Sequence, residues 1–329
     1  MKKINKIIIL VGFTGMVMFF TACKPSDSTT ATTTIGIIEP LEHKAMDEIV
    51  SGFTATLKEK YKKPFTIRVE NAQNDLNLQR AIIQKMQDAH YAMIVPIGTD
   101  ATQMTLAMNR HQAIVSLASS VTATDRKKLT SCHVAIVHDE IPTIKLIDFI
   151  HAAYPKLTQL ILIHSTADKV FPEVKEAIAA GKTDGIQIMP RMVSSLPELY
   201  TAASSLPENT QGIFVLKDSL IVSGISTLSK EATNRHIPLI TSDQGSVQDG
   251  AYFSLGVHER EIGSDGAILA ASILNGQAAC DLPIVEMKKL TVFINQSIAE
   301  KTNQSITAVI NTAKKLGYEI EVVGQDNKT

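Results

Sequence analysis

Side chains able to hold a small polar molecule stand at the ends of short apolar runs in this sequence. Glu39 and His43 follow the first run, Asn71 and Gln73 the second, Thr99 and Asp100 the third, and Ser119 and Ser120 the fourth. Further along, Ser165, then Asp218 and Ser219, then Asp243 occupy the same kind of place. Hydroxyl groups and helix-start amides can hold a carboxylate, and Glu39, Asp218 or Asp243 could receive an ammonium. The set suits an uncharged or zwitterionic ligand, because Lys217 is the one cationic side chain at these run ends. Ser, Thr, Asp and Asn are also the residues that cap helix N-termini, so each position by itself reads as a cap or as a ligand contact. His164 ends another run, where it can face a cleft, cap a helix or meet solvent.

Catalytic patterns are absent from the sequence. Ala180, Gly181, Lys182 and Thr183 resemble the end of a phosphate-binding loop, but that motif needs glycine at position 176, where this chain has Glu176. A carboxylate there would repel phosphate, so the stretch reads as a helix ending in a glycine turn. Neither a dinucleotide fingerprint nor a nucleophile elbow occurs. The nine histidines show no zinc-type spacing, and His133 and His138 read as surface or packing residues. No catalytic residue, metal or cofactor is expected. The 329 residues carry 32 basic against 33 acidic side chains, and only 5% are aromatic, which argues against a nucleic-acid partner.

The elements that must position these residues alternate regularly. The apolar runs 35–38, 65–70, 92–97 and 113–117 predict strands, with helical spacing over 41–60, 76–89 and 101–110 between them. The pattern restarts with strands over 159–163, 186–193, 212–216 and 238–241 and helices over 173–180, 198–206 and 220–235. Such alternation predicts an α/β protein with two doubly wound parallel-sheet lobes. Asn109-Arg110-His111 and Asn234-Arg235-His236 fall at matching places in the two runs, as a duplication would leave them. Ligands in open α/β sheets sit beyond the carboxyl ends of the strands, so two facing lobes would gather both sets of loops on one cleft.

The chain begins differently. Lys2, Lys3 and Lys6 precede an uncharged apolar run from 7 to 20, and Thr21 and Ala22 then lead into Cys23. That order predicts an export signal over 1–22, and the run is short for a membrane span. Cys23 after small residues resembles a lipoprotein cleavage site, where the thiol carries the lipid that tethers the protein to a membrane. Ordinary signal cleavage, leaving a free Cys23, is the alternative. Residues 24–34 are polar and aperiodic, as in a flexible tether. Cleavage removes three of the 32 basic side chains and none of the 33 acidic ones, which takes the net charge from −1 to about −4. Cys132 and Cys280 then remain; they can pair outside the cytoplasm, but two residues make no framework and they read as separate buried thiols.

One family resemblance covers nearly all of the mature chain. Its most specific part runs from Ile237 through Thr241-Ser242-Asp243 and Val247 to Gly250-Ala251. Leu255-Gly256-Val257, Ile262-Gly263, Ile273-Leu274-Asn275-Gly276 and 290–295 continue it, and Glu42-His43, 71–75 and Val215-Leu216-Lys217-Asp218 fit as well. In these segments the chain resembles the tryptophan/tyrosine-type substrate-binding lipoproteins of ABC transporters, which have the type I periplasmic-binding-protein fold. It departs from them at 118–122 and around 132–135. The resemblance implies three crossovers between lobes, one lobe formed by 35–138 plus 258–290 and the other by 139–257 plus 291–324. It also implies capture of a small molecule, an amino acid with aromatic ones included, by hinge closure and delivery to permease and ATPase subunits. A receptor of the same fold that signals to a membrane sensor is the alternative. Without tryptophan, an aromatic wall would need Tyr or Phe; Tyr252 and Phe253 stand close to the specific segment, and strand alternation would bury one of them.

Overall fold

A computed structural model describes residues 32–109, 111–120 and 132–324. The export signal, Cys23 and the tether up to 31 lie outside the described residues, as do Arg110 and positions 121–122 of the departing loop. Among the described residues no helix is long and apolar enough to cross a membrane.

The first sheet has six parallel strands in the order β2-β1-β3-β4-β5-β11. They are β1 (Thr33–Glu39), β2 (Phe65–Asn71), β3 (Met93–Pro96), β4 (Ala113–Ser116), β5 (Val134–His138) and the short β11 (Val285–Glu286). Its apolar runs are continuous because helices cover both faces. Ile35 and Ile37 pack with Ile49, Phe53 and Leu57 of α1 (Lys44–Lys60), whereas Ile38 packs with Ile82, Ile83 and Met86 of α2 (Leu76–Asp88). The second sheet runs β7-β6-β8-β9-β10-β12-β13. Here β6 (Gln159–His164), β7 (Gln187–Met192), β8 (Ile213–Val215), β9 (Leu239–Thr241) and β10 (Phe253–Gly256) are parallel. β12 (Thr291–Asn295) is antiparallel to β10, and β13 (Glu319–Val323) is parallel to β12. β2-β1-β3-β4-β5 and β7-β6-β8-β9-β10 are the same order twice, so the duplicated pattern corresponds to a duplicated topology.

The chain passes from one sheet to the other after β5, after β10 and after β11. The second passage delivers α10 (Glu259–Leu274), which belongs to the first lobe and packs along α1. The two helices touch through Gly52 and Gly263: a methyl on Gly52 would strike the Arg260 carbonyl, and one on Gly263 the Ile49 carbonyl. Backbone meets backbone there because neither residue has a side chain.

Several boundaries differ from the sequence-based expectations. α1 starts at Lys44, because extended His43 caps it with Nδ1 accepting from the Ala45 N–H at 3.3 Å. α5 (Val170–Asp184) runs straight through Gly181-Lys182-Thr183, and the glycine turn falls at Gly185, whose φ of 74° suits it to end a helix. The segment 220–235 is two helices, α7 (Ser219–Val222) and α8 (Ile225–Asn234). The break follows Ser223, whose hydroxyl bonds back to the carbonyls of Ser219 and Leu220. Tyr252 and Phe253 are both buried in one core of the second lobe, their ring centroids 5.3 Å apart, because Tyr252 precedes β10 and is not bound by strand alternation. The thiols are also not separate: Cys132 and Cys280 form a disulfide with Cα atoms 4.8 Å apart, tying the start of β5 to the turn before β11. Both cysteines are exposed rather than buried.

Candidate functional site

The loops beyond the strand ends of both lobes meet around a cavity of about 110 Å³. One water needs only ~10–15 Å³ on such a measure, so the space suits a small molecule. His43, Thr99, Ser120, Ser219 and Asp243 line it, drawn from five strand-end loops, three of the first lobe and two of the second. His43 comes from the β1–α1 loop, Thr99 from the start of α3 (Thr99–Met108), and Ser120 from beyond β4. Ser219 and Asp243 stand at the starts of α7 and of α9 (Gln244–Gln248). Aliphatic walls come from both lobes as well: Leu41, Met46 and Ile262 on one side, Ile141, Leu216 and Val222 on the other. No Tyr or Phe is among the described lining residues.

The charged lining residues cluster around Lys217. Lys217 reaches from beyond β8 to Asp139 in the first passage between lobes, with Nζ 2.5 Å from Oδ2 and 3.3 Å from the Asp139 carbonyl. Burial opposes the Lys217 charge, but Asp139 holds the ammonium protonated and raises its pKa. Glu259, the first residue of α10, is buried beside this pair. Its Oε1 accepts from the Gln244 N–H at 2.8 Å, linking the lobes. Burial, then Asp243, pushes its carboxyl up to about 8. Glu173 of α5, also in the lining, is pushed up to about 7 chiefly by burial. Acids outnumber cations in this part of the cleft.

Other candidates are placed elsewhere. Asp218 is saturated as the cap of α7, with Oδ1 accepting from Leu220 N–H and Oδ2 from Ser165 N–H at 2.6 Å. Ser165 is thereby held against it, outside the cavity lining. Ser119 is buried in a hydroxyl chain with Ser116 and Thr102. Asn71 takes the Gln73 N–H at 2.7 Å in a turn, and Gln73 itself is exposed. Asp100 faces a smaller recess beside the cavity with Asn74 and Asp75. Glu39 sits half-buried near Asp47 and Glu42, pushed up to about 7 by burial first and those charges second. His164 turns inward, donating from Nδ1 to the Ser165 carbonyl at 2.8 Å with its ring edge on Phe171. Asp243 lines the cavity, yet both its oxygens are taken by Ser246 of its own helix. Asp139, Glu173 and Glu259 were not candidates from sequence. Asp139 and Glu259 are buried and Glu173 is half-buried, and that burial comes from how the lobes meet.

The profile of the family described as "ABC transporter substrate binding protein" matches residues 34–315. The chain belongs to that family. ABC transporter substrate-binding proteins act outside the cytoplasm, bind a small molecule without transforming it, and work with transporter subunits. This family member is 38% identical over 278 residues to an uncharacterised protein of Rickettsia prowazekii (strain Madrid E), covering 83% of this chain and 88% of that one. It is 27% identical over 318 residues to the tyrosine-binding protein of Clostridioides difficile (strain R20291), covering 90% of each. Among solved structures, the ABC domain from Streptococcus pneumoniae in complex with L-Trp superimposes with a TM-score of 0.78 at 19% identity. That match covers 88% of this chain and all of the other, a likeness of fold. The architecture is that of type I periplasmic binding proteins.

Proposed function

We propose that this substrate-binding protein captures an amino acid with an apolar side chain between its lobes and feeds it to the permease and ATPase of an importer. The observation that carries this reading is a cavity with aliphatic walls from both lobes and a charged cluster built on Lys217, Asp139 and Glu259. A zwitterionic head at the charged cluster and an apolar side chain along the walls would satisfy both parts. His43, Thr99, Ser120, Ser219 and Asp243 would surround the ligand; Glu39, Asn71, Gln73, Asp100, Ser119, Ser165 and Asp218 would support the loops that do. Relatives named for tyrosine binding and solved with L-Trp support the amino-acid class. Here an aromatic ligand would lie against aliphatic side chains rather than stack on a ring. Lobes of 35–138 plus 258–290 and 139–257 plus 291–324 would close about their three connections, the ligand favouring the closed state by touching both. Export under residues 1–22 and a lipid on Cys23 would keep the receptor beside its permease.

Titration calorimetry of the mature chain against the twenty amino acids tests the proposal. Saturable binding of one or a few apolar amino acids is expected; silence for all twenty would overturn it.

A further inference from the structure

Two buried oxygen atoms of the cavity lining have no hydrogen-bond partner among the described residues: Glu259 Oε2 and Ser242 Oγ. Glu259 is 3% exposed and Ser242 6%. A buried polar atom left unpaired carries a real desolvation penalty, larger when it is charged. Two such atoms on one cavity point to a group that arrives from outside.

The surrounding charges say what that group is. Asp243, Lys217 and, beyond Lys217, Asp139 are the charged side chains set around Glu259. Asp243 is spent on Ser246 and adds negative potential, while Lys217 is already bound to Asp139. Glu259 therefore has an open acceptor and no cation of its own, and Ser242 can accept as well as donate. An ammonium supplies the missing charge and several N–H donors in a compact group.

We propose that Glu259 and Ser242 form the receptor for an ammonium group on the ligand, with Glu259 Oε2 accepting one N–H and Ser242 Oγ another. The proposal rests on the amino-acid reading of the cleft and goes beyond it by naming the head group and its atoms. Near pH 7 the empty site holds the Glu259 carboxyl mostly protonated. Binding then exchanges charge for charge: the carboxylic acid and the incoming R–NH3+ become a carboxylate–ammonium pair, and the Glu259 proton leaves to solvent.

Calorimetry at pH 7 in two buffers of unlike ionisation enthalpy reads that proton directly. The probes are the twenty amino acids together with tyramine, isopentylamine and putrescine, titrated into the mature chain, Glu259→Gln and Ser242→Ala. The expected result is release of close to one proton per ligand bound. Glu259→Gln should lose that release and bind roughly 10- to 100-fold more weakly, and Ser242→Ala roughly tenfold more weakly. A single cooperative thermal transition in each variant, no lower than the parent's for Glu259→Gln, shows that the fold is intact. An amino acid that binds without proton release, and equally well to Glu259→Gln, overturns the ammonium receptor while the proposed function stands. Binding of the simple amines alone supports the receptor and overturns the amino-acid reading, and silence from both classes overturns both.

Discussion

Asp218, Asp243 and Glu259 all stand where a strand-end loop enters a helix, and their surroundings give them different work. Asp218 and Asp243 spend both oxygens on backbone or hydroxyl donors close by. Asp218→Ala should therefore cost stability, about 1–3 kcal/mol in urea unfolding, through the lost cap and the orphaned Ser165 amide. Glu259 has the opposite signature. Its carboxyl rises from 4.5 to about 8 on folding, so the folded state binds the extra proton. Stability that is full below 4.5 must fall as pH climbs toward 8, because the charged form is the one folding disfavours. Thermal melts of the ligand-free protein should drop by several degrees between pH 5 and pH 8.5, and Glu259→Gln should remove most of that drop. Oxygen chemistry at the strand ends was legible in the sequence; whether an oxygen turns to the cleft or to its own helix was not, since both use the same residue types. Glu259 was hidden for another reason. It stands in the charged run His258-Glu259-Arg260-Glu261, which resembles a solvated face until the lobes meet over it.

At the scale of elements, the alternation of strand and helix was plain, because strands covered on both faces read as unbroken apolar runs. Boundaries were less plain where local and tertiary signals compete. Gly181 marked a turn by its residue type, yet the helix continues to Gly185, whose left-handed conformation ends it. The α1–α10 contact illustrates what spacing cannot show. Gly52 and Gly263 look like ordinary helix interruptions, but they let two backbones touch and hold His43 and Glu259 at the same cavity. Gly263→Ala should cost at least 1–3 kcal/mol by forcing these helices apart, measured by urea unfolding, and should weaken ligand binding with it. A neutral effect would mean that the helices carry no constraint on the site.

Across the whole molecule, a duplicated sheet order with three connections gives two lobes and one cleft between them. Legible in advance were the repeat and the lobe count; the Cys132–Cys280 bridge was not, because residues 148 apart carry no sign of their distance in space. That bridge closes a long loop in the unfolded chain, so Cys280→Ser should lower stability by about 2–5 kcal/mol, an effect that reductant reproduces in the parent. Small-angle scattering should show contraction on ligand addition if the lobes close over it. The most direct measurement is native mass spectrometry of the purified protein, followed by identification of the small molecule released on unfolding. The expected result is an adduct whose mass and fragmentation match an amino acid; a sugar or another molecule without an amino group would contradict the central claim.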